Sequence, residues 1–146
     1  VIYNSTYVGQ VMVSSSNYRI EKIAFVVALK NEPKDRLYYE IRNSNNTIMA
    51  KGLFAEASQF TIWQKWIEVT LDSPLALKEE ELYRFTLLST GTDLENAYHI
   101  YGHEFSYDTS IGYGGLRHYL TISHDAGTKW GKWEDADTIF KLITTD

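Results

Sequence analysis

The chain alternates apolar and polar residues in short runs, and that period-2 pattern predicts strands almost from end to end. Leu37–Asn43 shows it most cleanly: Leu37, Tyr39 and Ile41 fall on one face, Tyr38, Glu40 and Arg42 on the other. Ser44-Asn45-Asn46 then predicts a hairpin, with Ile48–Phe54 returning. Before it, Val8–Val13 predicts a short strand, and Tyr18–Leu29 predicts a longer one. In the longer one Ile23, Phe25, Val27 and Leu29 lie on one face and Ala24, Val26 and Ala28 on the other. Apolar residues on both faces imply a central strand covered from both sides, or one whose outer face is built of small residues.

Further along, Trp66–Leu71 places Ile67, Val69 and Leu71 inward, against Trp66, Glu68 and Thr70. Leu75–Leu82 carries good helix formers, so one short helical turn competes there with strand. Strands are expected again at Leu82–Leu88, Ala97–His103, Leu116–Ser123 and Ala136–Ile143. A loop rich in Gly, Tyr and Ser separates the second and third of these. Eight to ten short strands at regular spacing predict an all-β fold, a sandwich or barrel.

Ser123-His124-Asp125-Ala126-Gly127-Thr128-Lys129-Trp130 stands out as a tight reversal. Asp125 can accept backbone N–H groups two residues on, Gly127 can take a positive φ, and Trp130 can fold back over the turn. Ser-x-Asp-x-Gly-x-x-Trp resembles the Asp-box, a hairpin motif of sialidases, glycoside hydrolases and secreted β-domains; Lys129 stands where Thr is common. That motif fixes a turn and performs no catalysis.

Several other stretches bear on the class. They are Gly9-Gln10-Val11, Leu37–Asn43, Trp66, Ser73-Pro74-Leu75 with Leu82-Tyr83, and the closing Asp137-Thr138-Ile139-Phe140. Taken in order with the hairpin, they resemble jelly-roll accessory domains of secreted prokaryotic hydrolases and surface proteins, of the carbohydrate-binding-module type. The resemblance implies an antiparallel β-sandwich of jelly-roll type over residues 1–146. It also implies an extracellular or cell-surface location, covalent linkage to other domains of a larger chain, and a structural calcium ion. Asp137, at the head of the last strand and next to Asp135, is the calcium ligand implied, since calcium takes carboxylate and carbonyl oxygens.

Composition narrows the chemistry. A formal charge of −5 over 146 residues argues against a nucleic-acid footprint. No long apolar run predicts membrane insertion. The absence of Cys removes disulfides, thiol catalysis and Cys-ligated zinc.

No motif pairs two of the carboxylates Glu40, Glu68, Asp93, Glu95, Glu104 and Asp108 as a glycosidase requires. His99 and His103 lie about 13 Å apart if the segment is strand, too far to share one zinc. No serine sits in a nucleophile motif. The chain is therefore expected to bind without catalysing.

Aromatic residues make up 14% of the chain, and a sugar stacks its C–H face on an exposed ring. Alternation groups Tyr38, Glu40 and Arg42, then Trp66 and Glu68, then His99, Tyr101 and His103. If these faces form one concave sheet, Trp66 and Tyr101 are stacking platforms, with Glu40, Arg42 and His99 bonding the hydroxyls. The Tyr107–Tyr113 loop is a second candidate binding element. A polysaccharide or glycan is the partner this reading expects. The alternative is a structural or adhesion domain of a viral or cell-surface assembly that binds protein.

Overall fold

A computed structural model describes residues 2–89, 93, 95–104, 118–133, 136–138 and 140–145, with the backbone alone at 102–104, 118–119, 132–133 and 136–137. Twelve strands run through these residues. They are β1 (Tyr7–Val13), β2 (Tyr18–Lys30), β3 (Leu37–Asn43), β4 (Ile48–Ala55), β5 (Lys65–Leu77) and β6 (Leu82–Ser89). After them come β7 (Ala97–Ile100), β8 (Gly102–Glu104), β9 (His118–Ser123), β10 (Gly131–Trp133), β11 (Ala136–Thr138) and β12 (Phe140–Thr144).

Two antiparallel sheets pack into an all-β sandwich. The first has six strands in the order β10-β9-β1-β6-β3-β4. The second has the order β12-β2-β5, with β7 also pairing β2, beyond the stretch that β12 occupies. A short pair, β11-β8, completes the fold.

The alternation read in the sequence sets which residues meet between the sheets. Leu37, Tyr39 and Ile41 of β3 and Phe85 and Leu87 of β6 are buried on one side, Ile23, Phe25 and Val27 of β2 and Ile67 of β5 on the other. Phe140 joins the two layers, its ring centroid 5.9 Å from Phe25 and 6.2 Å from Phe85. Phe60 closes one end edge-on against Tyr98 at 5.3 Å.

Gln10 is the one fully buried polar side chain of β1, and it is satisfied. Its Oε1 accepts from the Thr138 backbone N–H at 2.8 Å and the Thr138 hydroxyl at 3.1 Å, so it anchors β11 to the six-stranded sheet. β2 is covered on both faces: Ala24, Val26 and Ala28, on the side away from Ile23, Phe25 and Val27, are themselves buried.

Three local expectations are corrected. Leu75–Leu82 forms no helical turn: Leu75, Ala76 and Leu77 extend β5 against Ile20, Arg19 and Tyr18, and β6 begins at Leu82. Strand pairing over many residues outweighs a propensity preference of tenths of a kcal/mol each. Pro74 fits inside β5 because that strand is an edge and its register with β2 shifts between Ile20 and Lys22.

The strand returning from the Ser123–Trp130 turn is Gly131–Trp133, not the next strand the sequence shows, Ala136–Ile143. Three residues are too few to show a period. The expected strand Ala97–His103 divides at Tyr101, because β7 pairs β2 whereas β8 pairs β11.

Candidate functional site

Each sheet presents one face outward, and the sequence candidates divide between them. Glu40 and Arg42 lie on β3 in the six-stranded sheet; Trp66 lies on β5, and His99 and Tyr101 on and just after β7, in the other. The single concave face expected for all five does not exist. Alternation fixes which residues share a strand face, but sheet membership depends on pairings remote in sequence.

On the six-stranded sheet the outward face is largely occupied by the protein itself. The Ser123–Trp130 turn is held from within. Ser123 Oγ donates to Asp125 Oδ1 at 2.9 Å and accepts from the Gly127 N–H at 2.8 Å, while the Lys129 N–H donates to Asp125 Oδ1 at 2.8 Å. The Lys129 N–H first, then the Ser123 hydroxyl, hold the Asp125 carboxyl below the usual carboxylate range. Ala126 and Gly127 take positive φ of 56° and 87° to close the turn.

The turn then folds across the sheet. The Gly127 carbonyl accepts from Asn46 Nδ2 at 2.8 Å and from Arg42 Nη1 at 3.2 Å. Trp130 Nε1 donates to Asn46 Oδ1 at 2.9 Å. The half-buried indole covers Arg84, whose guanidinium carbon is 4.5 Å from the ring centroid, with Arg42 at 5.7 Å and Tyr7 tilted at 6.4 Å.

Arg42 and Arg84 are direct cross-strand neighbours. Opposed like charges destabilise a sheet, and here the surroundings compensate. Glu40 Oε1 accepts from Arg42 Nη2 at 2.8 Å, and the indole face lies over both cations. Arg42, only 8% exposed, is thus a buried part of this fastening, and half-buried Glu40 is its ion-pair partner at the edge of a groove. Asn46, Arg84 and Tyr7 complete the fastening. Sequence alone gives no sign of their convergence, because they come from three segments remote from the turn.

Two open grooves border this face. One, of about 440 Å³, runs beside Leu120, Ile122 and Trp130; the other, of about 450 Å³, lies over Tyr38, Leu53 and Leu88. Neither includes Trp66, His99 or Tyr101. A platform for stacking is a flat face rather than a cavity, so its lying outside both grooves does not count against it.

On the second sheet the outward face is built across β2. Val26 pairs with Trp66 on one side, and its carbonyl accepts the Tyr101 N–H at 3.0 Å on the other. Trp66, Val26 and Tyr101 therefore form one cross-strand row, with the two aromatics two strand spacings apart, roughly 10 Å. One row along, Ala28 pairs with His99, whose ring centroid is 6.3 Å from that of Tyr101. On the other flank, Ala24 lies between Glu68 of β5 and Lys141 of β12.

Trp66 is 46% exposed, whereas its neighbour Ile67 is buried at 9%. Burial holds the His99 imidazole below the usual histidine range, and nearby positive charge, Lys30 included, acts in the same direction. The shift favours the uncharged ring, which can both donate and accept.

Lys141 Nζ sits 4.4 Å from the Trp66 ring centroid. The alternation Phe140-Lys141-Leu142 would have placed this lysine on the outward face. The loop before β5 adds Ile62 and Trp63, exposed at 66% and 76%.

Asp137 pairs through its backbone with His103, but its side chain lies outside the described residues, as do Asp135, Asp108 and the Tyr107–Tyr113 loop. Among the described residues no three His, Asp or Glu side chains gather as a metal site. Compared with known proteins, the chain matches no family model and no curated protein.

Proposed function

We propose that this chain is a non-catalytic glycan-binding module of an extracellular or cell-surface protein, a β-sandwich of jelly-roll type that binds through the outward face of its β12-β2-β5 sheet. The observation that carries this reading is the Trp66–Val26–Tyr101 row. It sets two aromatic rings on one face, either side of a strand whose residues on that side are Ala24, Val26 and Ala28. Trp66, 46% exposed, offers an apolar face to the C–H side of a sugar, half-buried Tyr101 lies in the same row, and His99 supplies a hydrogen-bonding group beside it. Glu40 and Arg42 have no part in this face.

The test is a titration of tryptophan fluorescence against a polysaccharide panel, on the wild type and on Trp66→Ala. Saturable quenching that Trp66→Ala abolishes, with its melting temperature retained, is the expected result. Binding that survives in Trp66→Ala moves the site elsewhere.

A protein-binding adhesion domain is the second reading. It is favoured by Ile62 and Trp63, an apolar pair exposed more fully than a sugar platform requires. If that reading holds, Trp63→Ala abolishes attachment to a protein surface while glycan titrations stay flat.

A further inference from the structure

We infer that the ligand of this face is a carboxylated glycan, such as a uronic-acid polymer, and that Lys141 is the residue that selects it. The inference rests on the glycan reading of the same face and adds the charge class of the sugar.

Its basis is the distribution of charge around Trp66. Two basic side chains and one acidic one lie along this part of the sheet: Lys141, Lys22 and Glu68. Lys22 Nζ is 3.9 Å from Glu68 Oε1, so the acid has its own cation on the neighbouring strand. Lys141 is ion-paired with no carboxylate among the described residues, and its ammonium is 4.4 Å from the centroid of the Trp66 ring. Ala24, between Lys141 and Glu68, adds no bulk beside it.

This arrangement treats neutral and anionic sugars differently. A neutral pyranose approaching Trp66 competes with Lys141 for the ring, displacing a cation–π contact and gaining only neutral hydrogen bonds in return. A pyranose carrying a carboxylate lets the ammonium swing from the ring to that carboxylate. The charge-assisted bond so formed is roughly twice as strong as a neutral one.

The chain as a whole carries −5, so an anionic polymer meets no general attraction. At physiological salt, charges beyond about 8 Å are largely screened, and the local ammonium decides. His99, whose shift favours the uncharged ring, adds no competing charge.

The experiment measures binding of the intact protein to polygalacturonate, alginate and hyaluronate, to methyl-esterified polygalacturonate, and to neutral and sulfated polysaccharides. Lys141→Met is run in parallel, because it keeps an apolar stem against Trp66 and removes the charge. The expected result is binding to a carboxylated polymer that weakens about tenfold on esterification, and by a similar factor in Lys141→Met. Raising salt also weakens it, and the melting temperature of the variant is unchanged.

Binding to neutral polymers, to sulfated ones alone, or equally to acid and ester overturns the inference and leaves the glycan reading standing. Binding to none of the polysaccharides overturns both.

Discussion

Trp130 Nε1 donates to Asn46 Oδ1 across 2.9 Å, and this bond ties the loop at one edge of the six-stranded sheet to the hairpin turn at the other. Between those edges lie β1 and β6, whose outward Tyr7 and Arg84 sit against the indole. Strand-to-strand pairing alone links only neighbours. The indole and the Gly127 carbonyl add a second connection over the top, so the turn contributes to stability well beyond its own residues.

Gly127→Ala tests that connection. Gly127 has φ 87°, and an added Cβ would lie 2.6 Å from Arg42 Nη2, a group already held by Glu40. Backbone strain of this kind costs of order 1–3 kcal/mol. The midpoint of urea unfolding should fall accordingly, with the slope unchanged; an unmoved midpoint would mean that the fastening adds nothing.

Acid should loosen the same turn. The Asp125 carboxyl is held below its ordinary range, so its contribution to stability is full above the unfolded value of about 3.9 and is lost as pH falls through the lower folded value. Melting temperatures measured from neutral pH down into that acid range should decline in the wild type. The decline should be shallower in Asp125→Asn, which has no carboxylate to protonate. Parallel acid profiles would show that the carboxylate contributes nothing through its ionised form.

Gln10→Ala should be costly for a residue so far from any proposed ligand. It leaves the buried Thr138 N–H without the acceptor at 2.8 Å, and an unsatisfied buried donor costs about 1–3 kcal/mol. Hydrogen exchange at Thr138 should accelerate before the rest of the sheet is affected. Protection there equal to wild type would contradict the anchoring role.

Trp66→Ala and Ile67→Ala should separate binding from folding. Ile67 is 9% exposed and faces the core, so truncating it should cost roughly 2–5 kcal/mol. Trp66, 46% exposed, should cost far less stability and all of the stacking. Denaturation and glycan titration on both variants check this, and the reverse assignment of effects would invert the faces of β5.

The strands were legible because a half-buried strand must alternate, and Leu37, Tyr39 and Ile41 against Tyr38, Glu40 and Arg42 is a pattern with one physical solution. So was the place of the turn at Ser123–Trp130, but not its detail: Asp125 accepts from the N–H four residues on rather than two, and Trp130 folds over the sheet rather than over the turn. What alternation cannot carry is which strand lies beside which. Arg42 reads as an exposed binding group in its own strand, and it is buried only because a turn about eighty-five positions later crosses over it.

Trp66 and Tyr101 fall in one row because both pair with β2, from opposite sides, a relation absent from either segment alone. Lys141 was within reach of the sequence. Its position over Trp66 required knowing that β12 leaves the hairpin behind and joins the other sheet.

Surface turns are usually where a chain best accepts extra sequence, and the crossing of Trp130 over the six-stranded sheet reverses that rule for this protein. A peptide spliced after Ala126 would have to lift the Gly127 carbonyl off Asn46 and Arg42, so it would part the two ends of the sheet. The same peptide spliced between Ile62 and Trp63, whose side chains face solvent, would interrupt the Thr61–Trp63 bonds and leave the Thr61 carbonyl on its own side of the insertion, where it accepts from the Leu29 N–H of β2. For anyone attaching a label or a fused domain, the neat reversal is the joint to leave closed, and the plain loop before β5 is the one to open.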